Sequence, residues 1–548
     1  MFGAGGGTSS YREAEEAELI LLWGSNAREA HPIYFHHVLR GVRRGARLIV
    51  VDPRRTVSAQ WADAWLGLDV GSDIALANAM AREILHAGLE NREFIERATS
   101  GFEAYRDAVE KYTLAYAEKE TGVPADAIRD AAHAYAEAKT AQLCWTLGIT
   151  EHHNAVDNVF ALINLSLLTG HVGRWGSGVC PLRGQNNVQG GGDMGALPNK
   201  LPGGQDVEDP AHRAKFESAW RGATIPSKKG WHLSEMFEAM EHGRLSALYV
   251  LGENPVQSEA DQKRAVRLLG GLDHVVVQDM FLTKTAEIAH VVLPAAASWC
   301  EDDGTVTSSE RRVQRVRKAL EPPGQARADL AILADLARRM GSDWGRPTAE
   351  EIWDELRALS PWHGGMSYRR LEELGGLQWP CPDESHPGSP FLHGRLWKNP
   401  AEGPRAPFHV VEHDPPVDRL DADFPIRLTT GRRLDSYNTG VQTAGYASPL
   451  RRGETLDIAP EDGVRLGVGD GEVVRAVSRR GAIEVPARYD ATLRPGLAFM
   501  TLHFQDDVAT NVLTIDAIDP KSGTAEFKAS AIRIEKVGSR DPVAAATP

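Results

Sequence analysis

The chain has 548 residues, 42% of them hydrophobic and 25% charged. That is the balance of a soluble globular protein, and the length exceeds one ordinary core, so several domains are expected. A net charge of −14 argues against an electrostatic grip on nucleic acid or an anionic membrane. No apolar run approaches the roughly 20 residues of a membrane-spanning helix. The opening MFGAGGGTSSYREAEEAE lacks the basic start and apolar stretch of a signal peptide, so no membrane insertion and a cytoplasmic location are expected.

In chain order, residues 18–23 (ELILLW) read as a buried strand ending in Gly24-Ser25-Asn26, 31–44 as a helix, and 46–51 as a strand ending in Asp52-Pro53-Arg54. This β-α-β unit predicts a parallel sheet, whose ligands bind beyond the carboxyl ends of its strands. Helices over 74–86 and 125–138, a strand at 141–147 and a helix near 158–169 follow. The alternation resumes with a strand at 247–251 ending in Gly252-Glu253-Asn254, a helix over 259–269, and a strand at 274–277 ending in Gln278-Asp279. The two Gly-x-Asn strand ends suggest related half-domains. Residues 360–425, rich in proline and glycine, read as a long connection; short β-type runs at 426–431, 455–458, 472–478, 482–488 and 497–502 then predict a mostly-β barrel.

Residues 181–198, PLRGQNNVQGGGDMGALP, combine one arginine, a run of amides and five glycines. Glycines let backbone approach a bulky ligand, and the planar fork of Arg183 suits a carboxylate. Cys144, Cys180, Cys300 and Cys381 form no C-x-x-C pair, so no zinc or iron–sulfur ligand set is encoded and they read as small buried hydrophobes. Gly3 to Gly7 precede the first strand instead of following one, the wrong order for a dinucleotide fingerprint; as a small-residue segment they could still line a cofactor.

The anchors LLWGSNAREAHP, DPRRTVSAQWAD, LLTGHVGRWGSGVCPLRGQNNVQGGGDMGALP, LGENPVQSEAD, VVQDMFLTKTAEIAHVVLP, WCEDDGTVTSSERRVQRV, LQWPCP and LTTGRRLDSYNTG occur in that order over nearly the whole chain. Together they resemble the catalytic α subunits of molybdenum- or tungsten-dependent formate dehydrogenases, in the molybdopterin oxidoreductase superfamily. The resemblance implies an α/β fold: two pseudo-related dinucleotide-type domains (1–185 and 186–359), a connecting segment (360–424) and a C-terminal double-psi β-barrel (425–538). It implies a bis(molybdopterin guanine dinucleotide) cofactor. Gly24, Asn26, Asp52 and Arg54 fall where one dinucleotide would lie, and Gly252, Asn254, Gln278, Asp279 and Thr283 where the other would. Thr430, Gly431, Arg432, Asn511 and Lys528 match contacts from the barrel.

Formate would pair with Arg183 beside the metal, and His153, of the His152-His153 pair, is carried as a second catalytic candidate. No residue of this chain is assigned as a metal ligand. Full-length members of the family carry a [4Fe–4S] domain with clustered cysteines, then a cysteine or selenocysteine metal ligand followed by histidine. Neither motif occurs here, so cluster and ligand are expected only in an upstream segment, and the chain alone is expected to be inactive. Electrons would pass to an electron-transfer or NAD-binding partner subunit. Two alternatives stay open: a non-catalytic scaffold of the same fold, and an oxidoreductase of the superfamily acting on another oxyanion.

Overall fold

A computed structural model describes residues 2, 5–220, 223–434, 436, 438–440 and 453–537. Its first sheet is parallel throughout, in the order β3-β2-β1-β4-β5, with β1 Leu19–Trp23, β2 Arg47–Val51, β3 Ala64–Leu66, β4 Ala141–Trp145 and β5 Gly178–Pro181. The sequence alternation sorts side chains between its two faces. Leu19, Leu21 and Trp23 pack with Ile49, Val51, Leu143 and the helices Asp73–Ala87, Ala125–Glu137 and Ala155–Thr169. Ile20 and Leu22 face the other way, with Leu48, Val50, Cys144 and the Tyr34, Phe35 and Val38 stripe of helix Pro32–Arg43. Both faces are covered, so the strands read as continuous apolar runs. Each fully buried Leu, Ile or Val contributes about 1.5–3 kcal/mol.

The chain runs from β1 outward to β2 and β3, then returns across β1 to β4 and β5. Strand order therefore reverses between β1 and β4, the place where open α/β sheets form a crevice at their carboxyl ends.

A second parallel sheet has the order β8-β7-β6, from β6 Ala247–Leu251, β7 His274–Asp279 and β8 Val291–Pro294. A small antiparallel sheet joins β9 Gly304–Thr307, β10 Arg312–Val316 and β11 Leu377–Gln378. The last of these lies in the segment expected to be a plain connection. Ala406–Pro407, also in that segment, pairs with Thr99–Ser100 of the first domain. Residues 360–424 thus pair with strands of both neighbours.

The barrel closes through β12 Ile426–Gly431, β13 Leu456–Ile458, β14 Val473–Ser478, β15 Ala482–Tyr489, β16 Leu497–Thr501 and β17 Ser530–Lys536, in the order β12-β16-β13-β15-β14-β17. Sequence patterning had not marked β17. It pairs with both β12 and β14 and so joins the ends of the sheet. All four cysteines are free and buried, as their spacing implied.

Candidate active site

The crevice at the strand-order reversal opens into a cavity of about 320 Å³ walled by the ends of β1, β2, β4 and β5 and by the barrel. Of the residues singled out from sequence, Gly24, Asn26, Asp52, Arg54, Arg183, Thr430, Gly431, Arg432 and Lys528 line it. Each stands at a strand end or in the loop just beyond one, except Lys528, which lies two residues before β17. Lys528 Nζ donates to the Thr430 carbonyl at 3.0 Å and pairs with Glu151 at 2.9 Å.

Gly24 takes a positive φ of 56°, and a Cβ there would lie 2.8 Å from the Gly148 carbonyl carbon; one on Gly148 would lie 2.6 Å from the Gly24 oxygen. The ends of β1 and β4 therefore cross with backbone against backbone, and Thr146 Oγ1 donates to the Gly24 carbonyl at 2.6 Å to hold the crossing. Beyond β2, the Arg54 guanidinium lies 3.6 Å from the centre of the Phe499 ring. The Arg54 amide donates to Asp52 Oδ1 at 2.9 Å. Burial pushes the Asp52 carboxyl up to about 6, although the Arg54 charge and amide act against that.

Arg183 follows β5. Its amide donates to Ser309 Oγ and the same hydroxyl donates back to the Arg183 carbonyl, both at 2.9 Å. Nε donates to Gln189 Oε1 at 2.6 Å and Nη2 to the Gly5 carbonyl at 2.8 Å. The N-terminal glycine segment therefore reaches the cavity arginine. Burial lowers the pKa of Arg183, partly offset by Asp193, but a guanidinium remains charged at any working pH.

His153 does not line the cavity; its neighbour His152 does. His153 turns to Glu526 (Nδ1 to Oε2, 3.3 Å) and to Asp414 (Nε2 to Oδ2, 3.0 Å). The remaining candidates stand apart from this cavity. Asn254 Oδ1 accepts from the Thr285 amide at 3.2 Å and its hydroxyl at 2.8 Å, and Thr283 caps helix Lys284–Glu287 by accepting from the Ala286 amide at 3.1 Å. Gln278 donates to Asp329 Oδ1 at 2.6 Å, and Asp279 Oδ1 accepts from the Phe281 amide at 3.0 Å. Gly252 has open space where a Cβ would stand. Asn511 donates to the carbonyls of Gln257 at 3.2 Å and Ser258 at 3.1 Å, tying the barrel to the second half.

Sequence reasoning did not mark His31, Asp73, Thr146 or Gly148 as cavity residues. His31 has both ring nitrogens buried without a hydrogen-bond partner, and burial pushes its pKa down to about 4, so it is neutral. Asp73 Oδ1 accepts from the Trp23 indole at 2.8 Å.

The donor set suits a large anionic, hydrogen-bonding cofactor. Arg54, Arg183, Arg432 and Lys528 outnumber Asp52 and Asp73 on the wall, as a diphosphate requires. The two carboxylates can accept from N–H and O–H groups of a heterocycle or ribose. The unpartnered imidazole of His31 is a group that a ligand could satisfy.

Residues 4–339 match the family model "Molybdopterin oxidoreductase" and residues 426–531 the model "Molydopterin dinucleotide binding domain". The "F420-dependent formate dehydrogenase 2 subunit alpha" of Methanococcus maripaludis is 41% identical over 540 residues, 98% of this chain and 79% of that one. "Formate dehydrogenase H" of Escherichia coli is 38% identical over 98% of this chain and 75% of its own length. Among solved structures, "Acetylene Hydratase from Pelobacter acetylenicus" superposes with a TM-score of 0.71 over 97% of this chain and 79% of that one, at 19% identity, a likeness of fold. Among the described residues no helix is long and apolar enough to cross a membrane. Two α/β sheets, a closed barrel and a cationic cavity between the first sheet and the barrel thus accompany matches to both family models, and the chain belongs to the molybdopterin oxidoreductase family.

Proposed function

We propose that this oxidoreductase is the catalytic subunit of a formate dehydrogenase, which oxidises formate to carbon dioxide and passes the electrons to a redox partner subunit. The single observation that carries the reading is the placement of Arg183, within LRGQNNVQG, on the wall of the cationic cavity at the strand ends. The relatives named as formate dehydrogenase alpha subunits support it.

The bound cofactor would be a bis(molybdopterin guanine dinucleotide) carrying molybdenum or tungsten, and it supplies the acceptor for the electron pair of the carbon–hydrogen bond. Arg54, Arg432 and Lys528 would neutralise one dinucleotide's diphosphate, with Asp52 accepting from its base or sugar. Gly252, Asn254, Gln278, Asp279, Thr283 and Asn511 would serve the second dinucleotide. Arg183 binds the formate carboxylate through charge-assisted hydrogen bonds and fixes which way its hydrogen points. Asp73, on the cavity wall with its carboxyl pushed up by burial, would hold the released proton. A [4Fe–4S] cluster would be carried outside the cysteines of this chain, on the electron path to the partner.

The test is reduction of an artificial dye by the cofactor-loaded enzyme. Molybdopterin guanine dinucleotide in the protein and dye reduction that depends on formate are expected. A pterin-loaded enzyme indifferent to formate, or one that oxidises reduced dye with nitrate instead, would overturn the substrate.

A further inference from the structure

The Arg183 guanidinium is held by one edge. Nε and Nη2 form that edge, bound to Gln189 Oε1 at 2.6 Å and to the Gly5 carbonyl at 2.8 Å. Among the described residues Nη1 has no hydrogen-bond partner, so the end-on edge, Nη1 with the second N–H of Nη2, is the one left for an anion. The choice of edge falls to Gln189, because a guanidinium can offer a carboxylate either edge.

Gln189 is itself fixed from behind. It is buried, and Nε2 donates to Asp193 Oδ1 at 2.8 Å and to the Gly5 carbonyl at 3.3 Å. Gln189 and Asp193 lie one turn apart on helix Val188–Asp193, so both side chains leave the same face. Asp193 Oδ2 accepts from the Trp379 indole at 2.7 Å, and Trp379 stacks on Trp362 with ring centres 4.6 Å apart. The start of the helix is fixed too. Asn187 adopts a φ of 62° and its Oδ1 accepts from the Thr307 amide at 3.0 Å. A Cβ on Gly190 would stand 1.9 Å from that oxygen.

An amide has an acceptor end and a donor end. Because Asp193 is acceptor-only when ionised, it takes the donor end of Gln189 and leaves the oxygen facing Arg183. Gln189 is also neutral. A carboxylate in its place would pair with the guanidinium and compete with the substrate's own carboxylate.

We propose that Gln189, with its amide oriented by Asp193 and Trp379, is a positioning residue that turns the end-on edge of Arg183 towards the formate carboxylate and leaves its charge available. This rests on the reading of Arg183 as the substrate arginine.

The experiment is steady-state formate kinetics on the cofactor-loaded enzyme for Gln189→Leu, Gln189→Glu, Asp193→Asn and Arg183→Ala, with pterin content measured for each. Gln189→Leu removes the acceptor that holds Arg183 Nε, and with it the hydrogen bonds to Asp193 and the Gly5 carbonyl, so KM for formate is expected to rise about tenfold or more while kcat falls less. Gln189→Glu keeps the acceptor but adds charge, and its KM is expected to exceed that of Gln189→Leu. Asp193→Asn keeps the size but loses one acceptor, and a smaller rise in KM is expected. Pterin content should stay at the parent level throughout.

Parent KM values in both Gln189 variants at full pterin content would overturn the proposal. So would loss of pterin from the Gln189 variants together with a parent KM in Asp193→Asn, since Gln189 would then be only structural. An unchanged KM in Arg183→Ala would instead remove the substrate reading on which the proposal stands.

Discussion

Replacing Glu526 with glutamine should loosen the barrel from the first domain and erase a pH dependence of stability. Glu526 is fully buried just before β17. Its carboxylate accepts from His152 Nδ1 at 3.2 Å, from His153 Nδ1 at 3.3 Å, from the His153 amide at 3.1 Å and from the Lys528 amide at 3.1 Å. A glutamine keeps one acceptor oxygen and turns an N–H donor towards groups that are themselves donors. The cost is set by stranding buried charge, about 3–5 kcal/mol.

Burial opposes ionisation of Glu526, but the two imidazoles outweigh it and hold its carboxyl below the ordinary 4.5. Burial also opposes charge on His152, where Glu526 again outweighs it; the Glu526 hydrogen bond is the main cause for His153, and both stand above the ordinary 6.5. The histidines' contribution is therefore complete below pH 6.5 and lost as pH rises through their raised folded values. That of Glu526 is present above pH 4.5 and lost as pH falls through its lowered value. Asp73 and Lys528 also act on His152, and Asp414 acts on His153.

The assay is thermal unfolding of parent and Glu526→Gln at about pH 6 and about pH 9, read as the difference between the two proteins so that other titrating groups cancel. The gap should be wide at the lower pH and narrow at the higher. A variant within about 1 kcal/mol of the parent at the lower pH, or a gap that does not change with pH, would refute the reasoning.

Gly148→Ala should be destabilising by about 1–3 kcal/mol through overpacking, because its Cβ would stand 2.7 Å from the Gly24 Cα. Pterin retained after purification should fall with it, as absorbance of the bound cofactor would report. Arg311, fully buried, donates Nε to the Gly7 carbonyl at 2.7 Å, Nη1 to the Ser389 carbonyl at 2.9 Å and also to that of Trp379, and Nη2 to the Pro390 carbonyl at 2.9 Å. Arg311→Met leaves four carbonyls without that donor at about 1–3 kcal/mol for each one left buried and unpaired. A large drop in melting temperature is expected, and one of only a few degrees would contradict it.

Strands carried on apolar runs were legible because a short apolar run bounded by turn residues is itself a strand signal. Residues 247–251 and 426–431 coincide with β6 and β12. β11 is only two residues long, and its membership of a sheet is decided by Arg312 and Val313, far away in sequence, so no local signal marks it. β17 follows a polar turn region, and its role comes from closing the barrel, a property of the whole domain. The same division holds at the cavity. Gly24 and Asp52 could be found from strand ends, since position in a parallel sheet fixes where such residues point, whereas Arg183 was found from its glycine- and amide-rich stretch, the strand before it being unmarked. Asp73 sits in the first turn of a helix, where an acidic residue is ordinary, and only the fold brings it to the wall. The His152–Glu526 contact spans 374 residues and has no trace in any local pattern.

The central claim is that Arg183 binds formate, and its most direct test is the formate kinetics of Arg183→Lys in the cofactor-loaded enzyme. Lysine keeps the charge but loses the fork, so kcat/KM for formate should fall about a hundredfold or more at unchanged pterin content. A variant that kept both the parent KM and the parent kcat would contradict the account.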